Sequence, residues 1–199
     1  MRTILALVVG LTASHLPVLR AQTDYYGRLG LTFTTDLVRD VIFQEIRIRP
    51  ALAPTVVVGA SLPMAPRYRV GLEAGLTTSG YHSKEGSTQT DLGTLRTGSI
   101  MLGLEGPIGW IVSWRGGVGL LHYWPTEESG IFLQGGPTRF LAGAGLDFRP
   151  KVMTNWDMML SLRYDFHRFT TDELRARGFS GTQGVQRVSA TVGLARGRR

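Results

Sequence analysis

Arginines and carboxylates recur through this 199-residue chain singly, at alternate positions within otherwise apolar stretches. The arginines are Arg28, Arg69, Arg115, Arg139, Arg163 and Arg187; the acids are Glu73, Glu105, Asp147, Asp157 and Asp165. A planar guanidinium matches a carboxylate with two parallel hydrogen bonds, so the chemistry on offer is ion pairing. Six cations against five anions is close to balance. If these groups are enclosed, they must be paired and hydrogen-bonded to offset the loss of water. Two uses follow: a salt-bridged plug, or a narrow pore lined by arginine.

Other chemistry is thinly supported. His15 falls in the N-terminal segment, His82 in a connection, and His122 and His167 near strand ends, where they are expected at headgroup level. His122, His167, Ser79 and Glu127 supply the types of a hydrolytic set, but a triad is a matter of geometry and no spacing here announces one. Asp24, Glu85, Asp91, Glu127, Glu128, Asp172 and Glu173 could offer oxygens to divalent cations; scattered as they are, they read as solvated. There is no cysteine, which excludes disulfides and thiolate metal sites. Gly71–Gly75 and Gly116–Gly119 precede no helix, so they are not phosphate loops but inward glycines that make room for large neighbours. No catalytic residue, cofactor or metal is expected. The net charge of +7 comes almost wholly from dispersed arginine, with lysine only at Lys84 and Lys151. Nucleic-acid binding, which needs a basic patch, is therefore not expected.

The elements that carry these charges read as strands. From Trp156 to Phe166 one parity is Trp156, Met158, Leu160, Leu162, Tyr164 and Phe166; the other is Asp157, Met159, Ser161, Arg163 and Asp165. One face suits lipid and the other a polar interior. The same two-faced pattern recurs over residues 27–34, 55–62, 68–78, 96–106, 110–122, 138–149 and 186–195. Pairing of the second strand should end near Pro50 and Pro54, since proline donates no hydrogen bond.

Eight strands result, and their connections alternate in length. Pro63–Pro66, Gly106–Gly109 and Pro150–Asn155 are short; Thr35–Arg49, Gly80–Thr94, Tyr123–Gly136 and Phe169–Gly184 are long. Short turns on one side and long loops on the other are the layout of an outer-membrane barrel. Tyr25, Trp110, Trp124, Phe148, Trp156 and Phe166 lie near strand ends, where interfacial aromatic girdles belong. Within Thr35–Arg49 the sequence allows either a short amphipathic helix or an extended hairpin. Glycine is abundant, at 26 residues, and has no collagen period.

Ahead of the strands, Met1-Arg2 is followed by an apolar run from Ile4 to Ala13, too short to span a bilayer, and then by Ala21-Gln22. This is the layout of a secretory signal peptide over residues 1–21, with cleavage after Ala21. Residues 22–199 then form one domain: an all-β, closed, antiparallel, eight-stranded up-and-down transmembrane barrel.

With this alternation and loop order the chain resembles the small outer-membrane barrels of the OmpA transmembrane-domain, OmpX and OmpW type. The resemblance covers residues 22–199 and rests on pattern. It implies residence in the bacterial outer membrane, contact with outer-membrane lipid and lipopolysaccharide, delivery by the barrel-assembly machinery, and outer loops open to an extracellular ligand. It departs at the last strand, Val188–Arg196, where the family usually ends in an aromatic residue. Three function classes stay open: a structural or surface-interaction barrel plugged by Arg–carboxylate pairs, a narrow channel for small or hydrophobic solutes, and a lipid-A-modifying enzyme.

Overall fold

A computed structural model describes residues 23–41, 45–127, 130–133, 135–176 and 181–196. The expected signal peptide lies outside the described residues. The strands are β1 (Asp24–Thr34), β2 (Val38–Val41), β3 (Glu45–Pro50), β4 (Ala53–Ala65), β5 (Tyr68–Glu85), β6 (Thr88–Pro107), β7 (Val112–Pro125), β8 (Thr138–Phe148), β9 (Lys151–Met153), β10 (Trp156–Phe169) and β11 (Gln183–Arg196). A 3-10 turn spans Gly130–Phe132, and a one-turn helix, α1, spans Asp172–Ala176.

Eight of these strands close a ring. Its hydrogen-bonded order is β1, β4, β5, β6, β7, β8, β10, β11 and back to β1, every pair antiparallel. Closure through Leu29↔Val192 leaves no free edge in the ring, which is what lets a β-structure sit in lipid. The period-two pattern sets the facing. Leu31, Val58, Leu72, Ile100, Val118, Phe140, Leu162 and Val192 point outward, each about half exposed or more. An apolar belt on all eight strands has no place on a water-soluble monomer. No helix among the described residues is long and apolar enough to cross a membrane; here strands do the crossing.

Both ends of the described chain lie at one rim, together with the short turns. At the other rim two expectations change. Gly80–Thr94 is not a loop: β5 and β6 continue pairing to Glu85↔Thr88 and turn through Gly86, whose φ is +58°. Thr35–Arg49 adopts the hairpin alternative. β2 pairs with β3 (Val38↔Ile48), and β3 adds to the upper part of β5 (Ile48↔Ser83). The chain crosses from β3 to β4 at residues 51–52; Pro50 ends β3 opposite Tyr81, while Pro54 lies within β4 opposite Leu31, so pairing runs one residue past it to Ala53.

This rim is roofed by an apolar core. Leu37, Val38 and Ile48 from the β2–β3 hairpin, Ile131 and Phe132 from the 3-10 turn, and Leu174 from α1 pack onto inward residues of the wall, among them Leu121, Tyr123, Leu141, Phe169 and Val185. Phe132 sits at its centre, with ring centroids 6.0 Å from Tyr81 and 5.9 Å from Phe169.

Candidate functional site

Below that roof charged inward side chains of six ring strands converge. Arg28 on β1 pairs with Glu73 on β5 and lies 3.5 Å from Asp147 on β8. Arg115 on β7 reaches three carboxylates, Glu73 at 2.8 Å, Glu105 at 3.0 Å and Asp147 at 2.9 Å. Arg163 on β10 pairs with Glu73 and with its strand neighbour Asp165 at 2.7 Å. Towards the termini, Arg69 bridges Glu105 (3.3 Å) and Asp24 (3.5 Å), and Arg149 lies 3.3 Å from Glu105. All these side chains are at most 14% exposed, so the pairs are enclosed.

Tyr26 is the hub that the sequence did not announce. Its hydroxyl donates to Glu73 at 3.1 Å and accepts from Arg115. Its ring lies 4.6 Å from the Arg115 guanidinium and 5.1 Å from that of Arg28, within cation–π range. The ring crosses Gly59 on β4, where a Cβ would come within 2.3 Å of it, so glycine makes the seat. Ser161 completes the layer, donating to Asp147 at 2.5 Å. Around this network the cavity volume is about 20 Å³, room for roughly one water.

Not every charge expected inside joins the network. Arg139 is half-buried near the roof and donates to the Thr170 carbonyl. Asp157 is half-buried near the termini and has no ion pair among the described residues. Arg187 is buried but donates to hydroxyls, Thr77 at 3.1 Å and Thr97 at 3.4 Å. Two residues enter unforeseen. Asp24, expected among solvated acids, is buried beside Arg69 and Arg149, because β1 starts inside the bore. Arg149, the last residue of the alternating stretch 138–149 and on its inward parity, follows the end of β8 and still reaches the bore.

The histidines separate. His167 stands at the roofed rim but faces inward: it is buried, with Nε2 2.5 Å from the Tyr123 hydroxyl. His122 faces outward beside Trp124, its Nδ1 2.7 Å from Thr138 Oγ1. Ser79 donates to the Leu95 carbonyl. No hydrogen bond joins any two of His122, His167, Ser79 and Glu127 among the described residues. Nor do these residues contain a metal-holding group of histidines and acids. Of the expected interfacial aromatics, Tyr25, Trp110, Phe148 and Trp156 lie outward towards the rim of the termini, and Trp124 and Phe166 lie outward towards the other.

No protein-family model and no curated protein matches the chain. Solved structures do. The outer-membrane protein AlkL in lipid bilayers aligns with a TM-score of 0.57 at 10% identity, over 89% of this chain and 92% of AlkL. Neisserial surface protein A aligns with a TM-score of 0.52 at 12% identity, over 86% of this chain and 96% of its own. The fold is that of the small outer-membrane β-barrels.

Proposed function

We propose that this protein is a bacterial outer-membrane barrel with a structural or surface-interaction role, whose bore is plugged by its own ion pairs. The observation that carries the reading is the Arg163–Glu73 pair. β10 and β5 are four places apart in a ring of eight, so the pair crosses the bore along a diameter. A bore of this strand number is just wide enough to be filled by side chains. The apolar roof supports the same reading, since ions would have to cross it as well. Activity then belongs to the outer surface of the β2–β3 hairpin, the β5–β6 tip and the α1 segment, which would meet an extracellular ligand.

The rest of the reading follows the fold. Residues 1–21 serve as the export peptide, the termini face the periplasm, the barrel-assembly machinery inserts the chain, and the apolar belt meets outer-membrane lipid and lipopolysaccharide. Conductance across planar bilayers tests the plug. Wild-type protein, checked for its heat-dependent shift in SDS mobility, should give no steady current. A steady current that Arg115 or Arg163 substitution abolishes would replace this reading with the channel. Fractionation with N-terminal sequencing tests the location: a mature start at Gln22 in the outer membrane is expected, and recovery from the soluble periplasm would refute it. An altered lipid A profile in cells making the protein would point to the enzyme instead.

A further inference from the structure

We propose that Arg187 anchors a binding site for a small inorganic anion of halide size inside the barrel. Arg187 is 7% exposed, and none of the described carboxylates lies within ion-pair distance of it. An enclosed guanidinium without a counter-charge is costly, because removal from water is not repaid by a partner. Its hydrogen-bond acceptors, Thr77 and Thr97, are neutral, and Asp165 acts on its charge only from beyond ion-pair distance.

The natural partner is Asp165, which stands directly opposite Arg187 in the β10–β11 register. It is turned the other way. Asp165 leans over Gly143 on β8, on the far side of β10, so closely that a Cβ on Gly143 would lie 1.9 Å from Oδ1. There Oδ1 accepts from Arg163 Nε at 2.7 Å. The missing side chain at Gly143 thus leaves room for the carboxylate on the Arg163 side of β10.

Beside Arg187 is a cavity of about 30 Å³. Three guanidiniums border it, Arg28, Arg163 and Arg187, against two carboxylates, Glu73 and Asp165. Glu73 is already shared by Arg28, Arg115 and Arg163. The surplus is one positive charge, on the side of Arg187. Thr55, Thr77, Ser99, Ser189 and Thr191 also line it, so the neutral part of the wall is rich in hydroxyl residues. The space exceeds the roughly 10–15 Å³ that one water needs, and is too small for an organic anion. A monatomic anion fits its size, its charge and its supply of donors.

The site goes beyond the plug reading: a non-conducting barrel can hold this anion or lack it. Crystals of the wild-type barrel soaked in bromide test it directly. An anomalous peak in contact with the Arg187 guanidinium is expected. A peak-free site, with water or the Asp165 carboxylate on Arg187, overturns the proposal. In detergent, chloride should stabilise the wild type against unfolding in a saturable way relative to gluconate at matched ionic strength. The shift in the unfolding equilibrium should reach about tenfold at ten times the midpoint concentration. R187Q should lose this response; an equal response in R187Q also overturns the proposal.

Discussion

Arg163 and Glu73 stand on diametrically opposite strands of the ring and meet in its middle. Glu73 there serves three guanidiniums, those of Arg28, Arg115 and Arg163. Removing its charge takes the shared counter-charge from three guanidiniums at once. Glu73→Gln should therefore destabilise the barrel by about 3–5 kcal/mol, the usual cost of breaking a buried ion pair from one side. Equilibrium urea unfolding in lipid vesicles measures it. A loss below about 1 kcal/mol would show that water, not protein, compensates these arginines.

The roof should be separable from the wall. Phe132 is fully buried, but its contacts are to the roof and the top of the bore rather than to the plug. Phe132→Ala removes a side chain whose loss from a core typically costs about 3–5 kcal/mol. That cost should fall on local opening. Limited proteolysis should cut the α1 segment faster in the variant, while the unheated SDS mobility stays that of a folded barrel. If the barrel itself unfolds, the roof and wall are one cooperative unit.

Trp124 marks the rim opposite the termini. It pairs with Arg96 in register, and its ring lies over Gly98 on β6, where a Cβ would come within 2.4 Å. Gly98→Leu should push the indole off this seat and along the bilayer normal. In a background with Trp110, Trp114 and Trp156 replaced by Phe, quenching by lipids brominated at different depths should shift between the two forms. An unchanged depth profile would mean that the lipid interface, and not Gly98, sets the position of the ring.

How far the sequence carried depends on which rule governed each residue. Alternation is a local rule, and it assigned Arg28, Glu73, Glu105, Arg115, Asp147 and Arg163 to the inner face from neighbours alone. It failed where both faces turn apolar. Leu121, Tyr123 and Leu141 face inward under the roof, yet the stretch reads like any hydrophobic run. Turn composition misled at residues 80–94, because Gly, Ser and Thr are tolerated in a hairpin that projects beyond the lipid and packs on one side only. Tyr26 follows the girdle residue Tyr25 and so falls on the other parity, and only the ring of strands reveals that Arg28 and Arg115 flank it. Pairings within the bore between strands that are not neighbours join residues up to 133 positions apart, and no local pattern encodes them.

The two kinds of buried arginine should respond oppositely to neutralisation. Arg28 lies between Glu73 and Asp147 and donates to Ser161 at 2.5 Å, so Arg28→Met takes one buried cation from two carboxylates. Its cost should be about 3–5 kcal/mol. Arg187 is held by two threonine hydroxyls and no acid, so Arg187→Met removes a buried charge and strands no counter-charge. The methionine stem keeps most of the apolar contact of the arginine stem. In gluconate, without halide, R187M should therefore unfold within about 1 kcal/mol of the wild type, or more stably, since replacing a poorly compensated buried charge by an apolar group is often neutral or favourable. Adding chloride should then stabilise the wild type and leave R187M unchanged, which reverses the order of the two proteins or widens the gap in favour of the wild type. A large loss for R187M in gluconate would show that Asp165 turns to meet Arg187 in solution, and that the charges within the bore are paired without help from an anion.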